Sequence, residues 1–127
     1  MRSKFDEQLA LLNRDLTKMG SLCEEALALA AKALANADGQ TAAKIAPIDS
    51  EIDQMERTIE SLCLKLLLQQ QPVARDLRQI SAALKMITDM ERIGDQAADI
   101  ADLSKHIEDK AVTGDIINIR KMAEDTV

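Results

Sequence analysis

A chain of 127 residues with a formal net charge of −6, a single aromatic residue, Phe5, and no Trp or Tyr lacks the clustered cations and stacking side chains that nucleic-acid binding requires. No apolar run approaches the roughly 18 residues that span a bilayer, and the N-terminus has no charged start followed by an apolar stretch, so a cytoplasmic chain without membrane insertion is expected. The length suits one domain, and a core drawn from Leu, Ile, Ala and Met, with two prolines and four glycines, favours long helices with few connections over sheets.

From Phe5 the apolar positions run Leu9, Leu12, Leu16, Met19, Cys23, Ala26 and Ala30 in alternating steps of three and four, the spacing of a helix packed in a bundle. This predicts a first helix over about 4–36, ended by the turn formers Asn36-Ala37-Asp38-Gly39. A second seam, Ile45, Ile48, Ile52, Met55, Ile59, Leu62 and Leu66, predicts a helix over about 40–70. Pro72 marks a sharp corner, because proline disfavours helix in the residue before it yet starts a new helix well. Beyond it, Val73, Leu77, Ile80, Leu84 and Ile87 open a third seam, which Met86, Met90, Ile93, Ala97 and Ile100 carry on to about Ile107. Short connections make consecutive helices antiparallel, so the expected fold is all-α: an up-down-up three-helix bundle with shallow, left-handed crossings.

Thr113-Gly114-Asp115 reads as a turn and an N-cap, after which Ile116, Ile119 and Met122 restart the helical period. That fourth helix shows no C-cap signal by Val127. The expected organisation is a three-helix bundle over 1–110, followed over 111–127 by a linker and the start of a fourth helix. The chain would then be a fragment of a longer protein or a shortened version of one.

The carboxylates carry the chemistry. Asp49 and Asp53 lie four apart on the second helix, and Glu91, Asp95 and Asp99 lie four apart twice on the third, so each set stacks along one helical face. An antiparallel hairpin folded at Pro72 brings level those positions whose numbers sum to about 144, which sets Asp53 beside Glu91 and Asp49 beside Asp95. With helix axes about 8–10 Å apart, four acids could converge on one cation. A solvated acidic face neutralised by Arg57 and Arg92 is the commoner outcome of such spacing, and spacing alone leaves both readings open. All-oxygen ligation would suit Mg, Ca, Mn or iron better than a closed zinc site.

Other chemistry finds less support. His106, the only histidine, follows Leu103 at three residues, so the Glu-x-x-His pair of di-iron bundles is absent and the side chain reads as a partner for a helix C-terminus. Cys23 and Cys63 form no CxxC pair and fall about 15 Å apart along the bundle at 1.5 Å per residue, so both read as reduced, buried residues. No glycine-rich phosphate loop occurs. Arg75, Arg78 and Lys85 read as a solvated basic face in preference to a docking patch, and Met19, Met55, Met86 and Met90 as core fillers.

The run from Gln70-Gln71-Pro72-Val73-Ala74-Arg75-Asp76-Leu77-Arg78-Gln79-Ile80 through Leu84-Lys85 to Asp89-Met90-Glu91-Arg92-Ile93-Gly94-Asp95-Gln96-Ala97-Ala98-Asp99-Ile100-Ala101 resembles the PhoU family. The likeness extends over residues 4 to about 107 and includes the stretch Asp49 to Glu60. It implies a three-helix repeat over 1–110, of which PhoU proteins carry two, so that 111–127 would be a linker and the first turns of a truncated second repeat. It also implies a metal site of Glu/Asp-x-x-x-Asp motifs for iron or zinc, with Mn or Mg as alternatives, matched here by Asp49 with Asp53 and Glu91 with Asp95. Asp99 stands where the family often has Asn. The function implied is regulatory and not enzymatic: an adaptor that acts with a phosphate ABC transporter ATPase and a sensor histidine kinase to hold the phosphate-starvation response off. Self-association to a homo-oligomer is expected separately, from the apolar face of Ile116, Ile119 and Met122, which has no complete partner within the chain. The alternative is a plain helical protein-interaction module with no metal site.

Overall fold

The computed structural model describes residues 2–69 and 73–113, in four helices: α1 (Arg2–Asn36), α2 (Gly39–Ala43), α3 (Ile45–Gln69) and α4 (Ala74–Thr113). The described residues contain no strand. Helices α1, α3 and α4 all pack on one another, and cross-helix contacts give their sense. Gln79 Nε2 donates to Asn13 Oδ1 at 3.4 Å, Cys23 Sγ to the Met90 carbonyl at 3.4 Å and Ser104 Oγ to the Ala33 carbonyl at 2.8 Å. Partner numbers rise together along α1 and α4, so these two run parallel, and α3 returns between them. The expected up-down-up bundle is the observed fold.

Along α1 the buried row is Phe5, Leu12, Met19, Ala26 and Ala33, repeating every seven residues, with Cys23 and Ala30 beside it. Helix α3 contributes Ile45, Ile52, Ile59, Leu62, Cys63 and Leu66. Both seams agree with the periodic reading, and both cysteines are free and buried. Helix α4 keeps most of its expected seam, with Ile80, Ile87 and Ala97 buried and Leu84, Met90, Ile93 and Ile100 packed against the core. Val73 and Leu77 are 58% and 41% exposed and Met86 is also exposed, while Asp76, Ile80, Ala83, Ile87, Ala97, Ala101 and Ser104 face inward. An acid in the first turn meets the positive end of the helix dipole. Apolar spacing therefore found the inner face except at Val73, Leu77 and Met86, which stand outside it.

Two boundaries also differ. The helix expected over 40–70 is interrupted at Lys44, which closes on the Thr41 carbonyl at 3.1 Å. Pro47 explains the break: it has no N–H for the Ala43 carbonyl, and its ring would crowd that group in a continuous helix. Helix α4 passes Ile107 and runs to Thr113. The Gly114-Asp115 turn and the fourth helix lie outside the described residues.

Helix α1 ends with Ala37 at φ 48°, a left-handed conformation in which a Cβ costs roughly 1–2 kcal/mol. The Asp38 N–H donates to the Ala33 carbonyl at 3.1 Å, closing the helix in the manner usually given to glycine. Asp38 then caps α2, accepting from Gln40 N at 3.0 Å and Thr41 Oγ1 at 2.6 Å. Ala37→Gly is expected to stabilise the chain by about 0.5–1 kcal/mol after the extra chain entropy of glycine is subtracted. A lower denaturation midpoint for that variant would contradict this account of the turn.

Candidate metal centre

On α3 the acids Asp49, Asp53, Glu56 and Glu60 follow one another in steps of four, three and four, so all project from one face. That face meets α4 at Glu91 and Asp95. One carboxylate oxygen from each of Asp49, Asp53 and Asp95 lies within 4.8 Å of the other two. This is the scale on which oxygens around one cation are separated, since metal–oxygen bonds run about 2.0–2.6 Å. Asp95 meets Asp49, the partner expected from counting, and lies near Asp53 as well. Glu91 is half-buried and acts on Asp49, Asp53 and Glu56. Asp99 is exposed and is not among the three whose oxygens converge.

The electrostatics are those of negative charge gathered without an internal counterion. Asp49 Oδ1 and Asp53 Oδ1 are buried and receive no hydrogen-bond donor. Burial, then the charges of Asp53 and Asp95, push the Asp49 carboxyl up to about 6, helped by a hydrogen bond that Asp95 can share only when one of the two holds a proton, and by Glu91. Burial first, then Asp95 and Glu91, also raise Asp53; Arg57 pulls the other way and ranks last. Arg57 and Arg92 are both exposed, so neither supplies the buried oxygens with a donor. A solvated face neutralised by arginines accounts poorly for those two atoms.

Glu56 belongs to the same cluster and was missed by the sequence reading. A hydrogen bond shared with Glu91, burial, and the charges of Glu91, Glu60 and Asp53 push it up to about 7. The signal was available, because Glu56 stands three residues after Asp53 and so continues the Asp49–Asp53 stripe. His106, Arg75, Arg78 and Lys85 are exposed and away from the cluster. The donor set is thus oxygen alone, which fits a hard cation such as Mg, Mn or ferrous iron better than zinc in its usual nitrogen and sulfur surroundings.

Residues 16–104, which include the whole cluster, match the family described as "PhoU domain". The chain is 40% identical over 103 residues to a "Phosphate-specific transport system accessory protein PhoU homolog" of Synechocystis sp., a match covering 81% of this chain and 46% of that protein. A homolog of the same description from Pseudomonas aeruginosa is 40% identical over 98 residues, with 77% of this chain and 40% of the relative covered. One from Clostridium acetobutylicum is 39% identical over 107 residues, covering 84% and 49%. The chain spans somewhat less than half the length of these relatives. Among the described residues no helix is long and apolar enough to cross a membrane.

Proposed function

The chain belongs to the PhoU domain family, and on that premise we propose that it is a metal-binding regulatory adaptor of phosphate transport, with no catalytic activity of its own. Asp49, Asp53, Glu91 and Asp95 would hold the cation, Glu56 would stand next to it through Glu91, and Asp99 would extend the site toward solvent. The observation that carries this reading is the pair of buried carboxylate oxygens, on Asp49 and Asp53, that no protein donor reaches. A bound cation supplies neutralising charge and a link between α3 and α4.

The regulatory half of the proposal rests on the descriptions of the relatives as accessory proteins of a phosphate-specific transport system. In this reading the protein works at the cytoplasmic face, contacts the phosphate transporter ATPase and a sensor histidine kinase, and keeps the starvation response off while phosphate is plentiful. Deleting the gene should leave a phosphate-starvation reporter on in rich phosphate; a reporter that still responds normally would remove the regulatory assignment. Elemental analysis of protein purified without chelator, followed by titration of metal-free protein with Fe(II), Mn(II), Mg(II) and Zn(II), addresses the site. Stoichiometric uptake is expected. Protein that takes up none of these is a helical interaction module with a solvated acidic face.

A further inference from the structure

Helix α4 carries a glycine in its interior, at Gly94, between Glu91 and Asp95. Glycine is the poorest helix former after proline, and nothing in the local backbone calls for one, since Gly94 is buried in an ordinary helical conformation. The reason lies across the interface. A Cβ added there would stand 2.8 Å from Asp49 Oδ1, 3.1 Å from Ile52 Cδ1 and 3.4 Å from Ile52 Cγ2. The atom it would strike first is one of the two buried carboxylate oxygens that receive no donor. Gly20, the other glycine described inside a long helix, differs: a Cβ there would meet only Met90 Cε at 3.9 Å, an ordinary contact.

We propose that Gly94 is a positioning residue for the acidic centre, its missing side chain forming the seat that holds the Asp49 carboxylate against α4 and turned toward Asp53 and Asp95. This deepens the metal-site reading above and rests on it. The physics separates site from fold. The 2.8 Å conflict is with the free end of a short side chain, which can swing out of the way, whereas Ile52 has only to yield by a few tenths of an ångström. An added methyl would thus displace a ligand while leaving the helices together, and it would improve the helix propensity of α4. On this account glycine is present for the centre, at the expense of the helix.

The test compares the parent chain, Gly94→Ala and Gly94→Ala/Ile52→Val, each stripped of metal, in calorimetric titrations with Mn(II) and, under anaerobic conditions, Fe(II), together with thermal melts of the metal-free proteins. Gly94→Ala is expected to bind about 10- to 100-fold more weakly, the loss typical when a group that orients a ligand is disturbed, with a metal-free melting midpoint equal to or above the parent's. Relieving Ile52 in the double variant should restore nothing. Parent-like affinity in Gly94→Ala overturns the proposal. So does a markedly lower metal-free midpoint, which would make Gly94 a packing requirement, and so does recovery in the double variant, which would assign the effect to helix separation. If the parent itself binds neither ion, the metal reading falls and takes this one with it. If the parent binds and Gly94→Ala binds as well, only the role of Gly94 is lost.

Discussion

Replacing Asp53 and Asp95 together by Asn is expected to abolish metal uptake while leaving the helical circular-dichroism spectrum unchanged. Asn preserves the shape of each side chain and removes two of the charges that converge within 4.8 Å. A centre of hard oxygen donors depends on ligand charge, so the loss should exceed the 10- to 100-fold expected of a supporting residue. The metal-free variant should also be more stable than the metal-free parent. Burial and the neighbouring charges of Asp53 and Asp95 raise the Asp49 carboxyl, and the new amides could donate to the unpartnered Asp49 Oδ1. Satisfying one buried acceptor is worth about 1–3 kcal/mol. A variant that binds iron, manganese or zinc as tightly as the parent would show the acids to be a solvated face. One that loses helical signal would show that the carboxylates hold the bundle together.

Acidity should act in opposite directions on the metal-free and metal-loaded protein. In the folded, metal-free chain Asp49 is pushed from 3.8 up to about 6 and Glu56 from 4.5 up to about 7. Folding therefore favours their protonated forms. The stability this contributes is fully present below the unfolded values, near pH 4, and is lost as pH rises through the folded values, to about pH 7. The metal-free parent should accordingly melt at a lower temperature at pH 8 than at pH 5 relative to the Asp53→Asn/Asp95→Asn variant, in which fewer charges crowd the site. With metal in excess the trend should reverse, because each ligand must lose its proton to bind. Affinity should fall about tenfold per pH unit for each such proton once the pH drops below 7 to 6, well above the values near 4 expected of ordinary carboxylates. Affinity that holds constant from pH 7.5 down to pH 5 would mean that Asp49 does not hold the cation. A parent and variant whose midpoints track each other across the same range would mean that the acids are not under electrostatic load.

Much of the fold was legible because helical periodicity is a local property. The seams from Phe5 to Ala30 and from Ile45 to Leu66 each repeat at three and four residues over many turns, and the structure buries both. The approach of the acids was also legible, since two consecutive antiparallel helices make opposite positions a matter of counting. Asp49 and Asp95 do meet, as counting requires. The interruption at Lys44 was legible in principle as well: Pro47 stands three residues into α3, and its effect on the Ala43 carbonyl is purely local.

The rest depended on how helices rotate against one another, which no single helix encodes. Helix α4 carries apolar side chains on more than one face, and contact with α1 and α3 together chose the face with Ile80, Ala83, Ile87, Gly94, Ala97, Ala101 and Ser104, leaving Leu77 and Met86 outside. That packing brings an oxygen of Asp95 within 4.8 Å of oxygens on Asp49 and Asp53, draws Glu56 to Glu91, and lays Asp49 Oδ1 against Gly94. The sequence by itself determined that three amphipathic helices would pack antiparallel in turn, with acids facing across the α3–α4 edge. Only the packed bundle decided which oxygens are buried and which acids meet, and hence which carboxyls hold their protons to unusually high pH, because both depend on how the other two helices are placed.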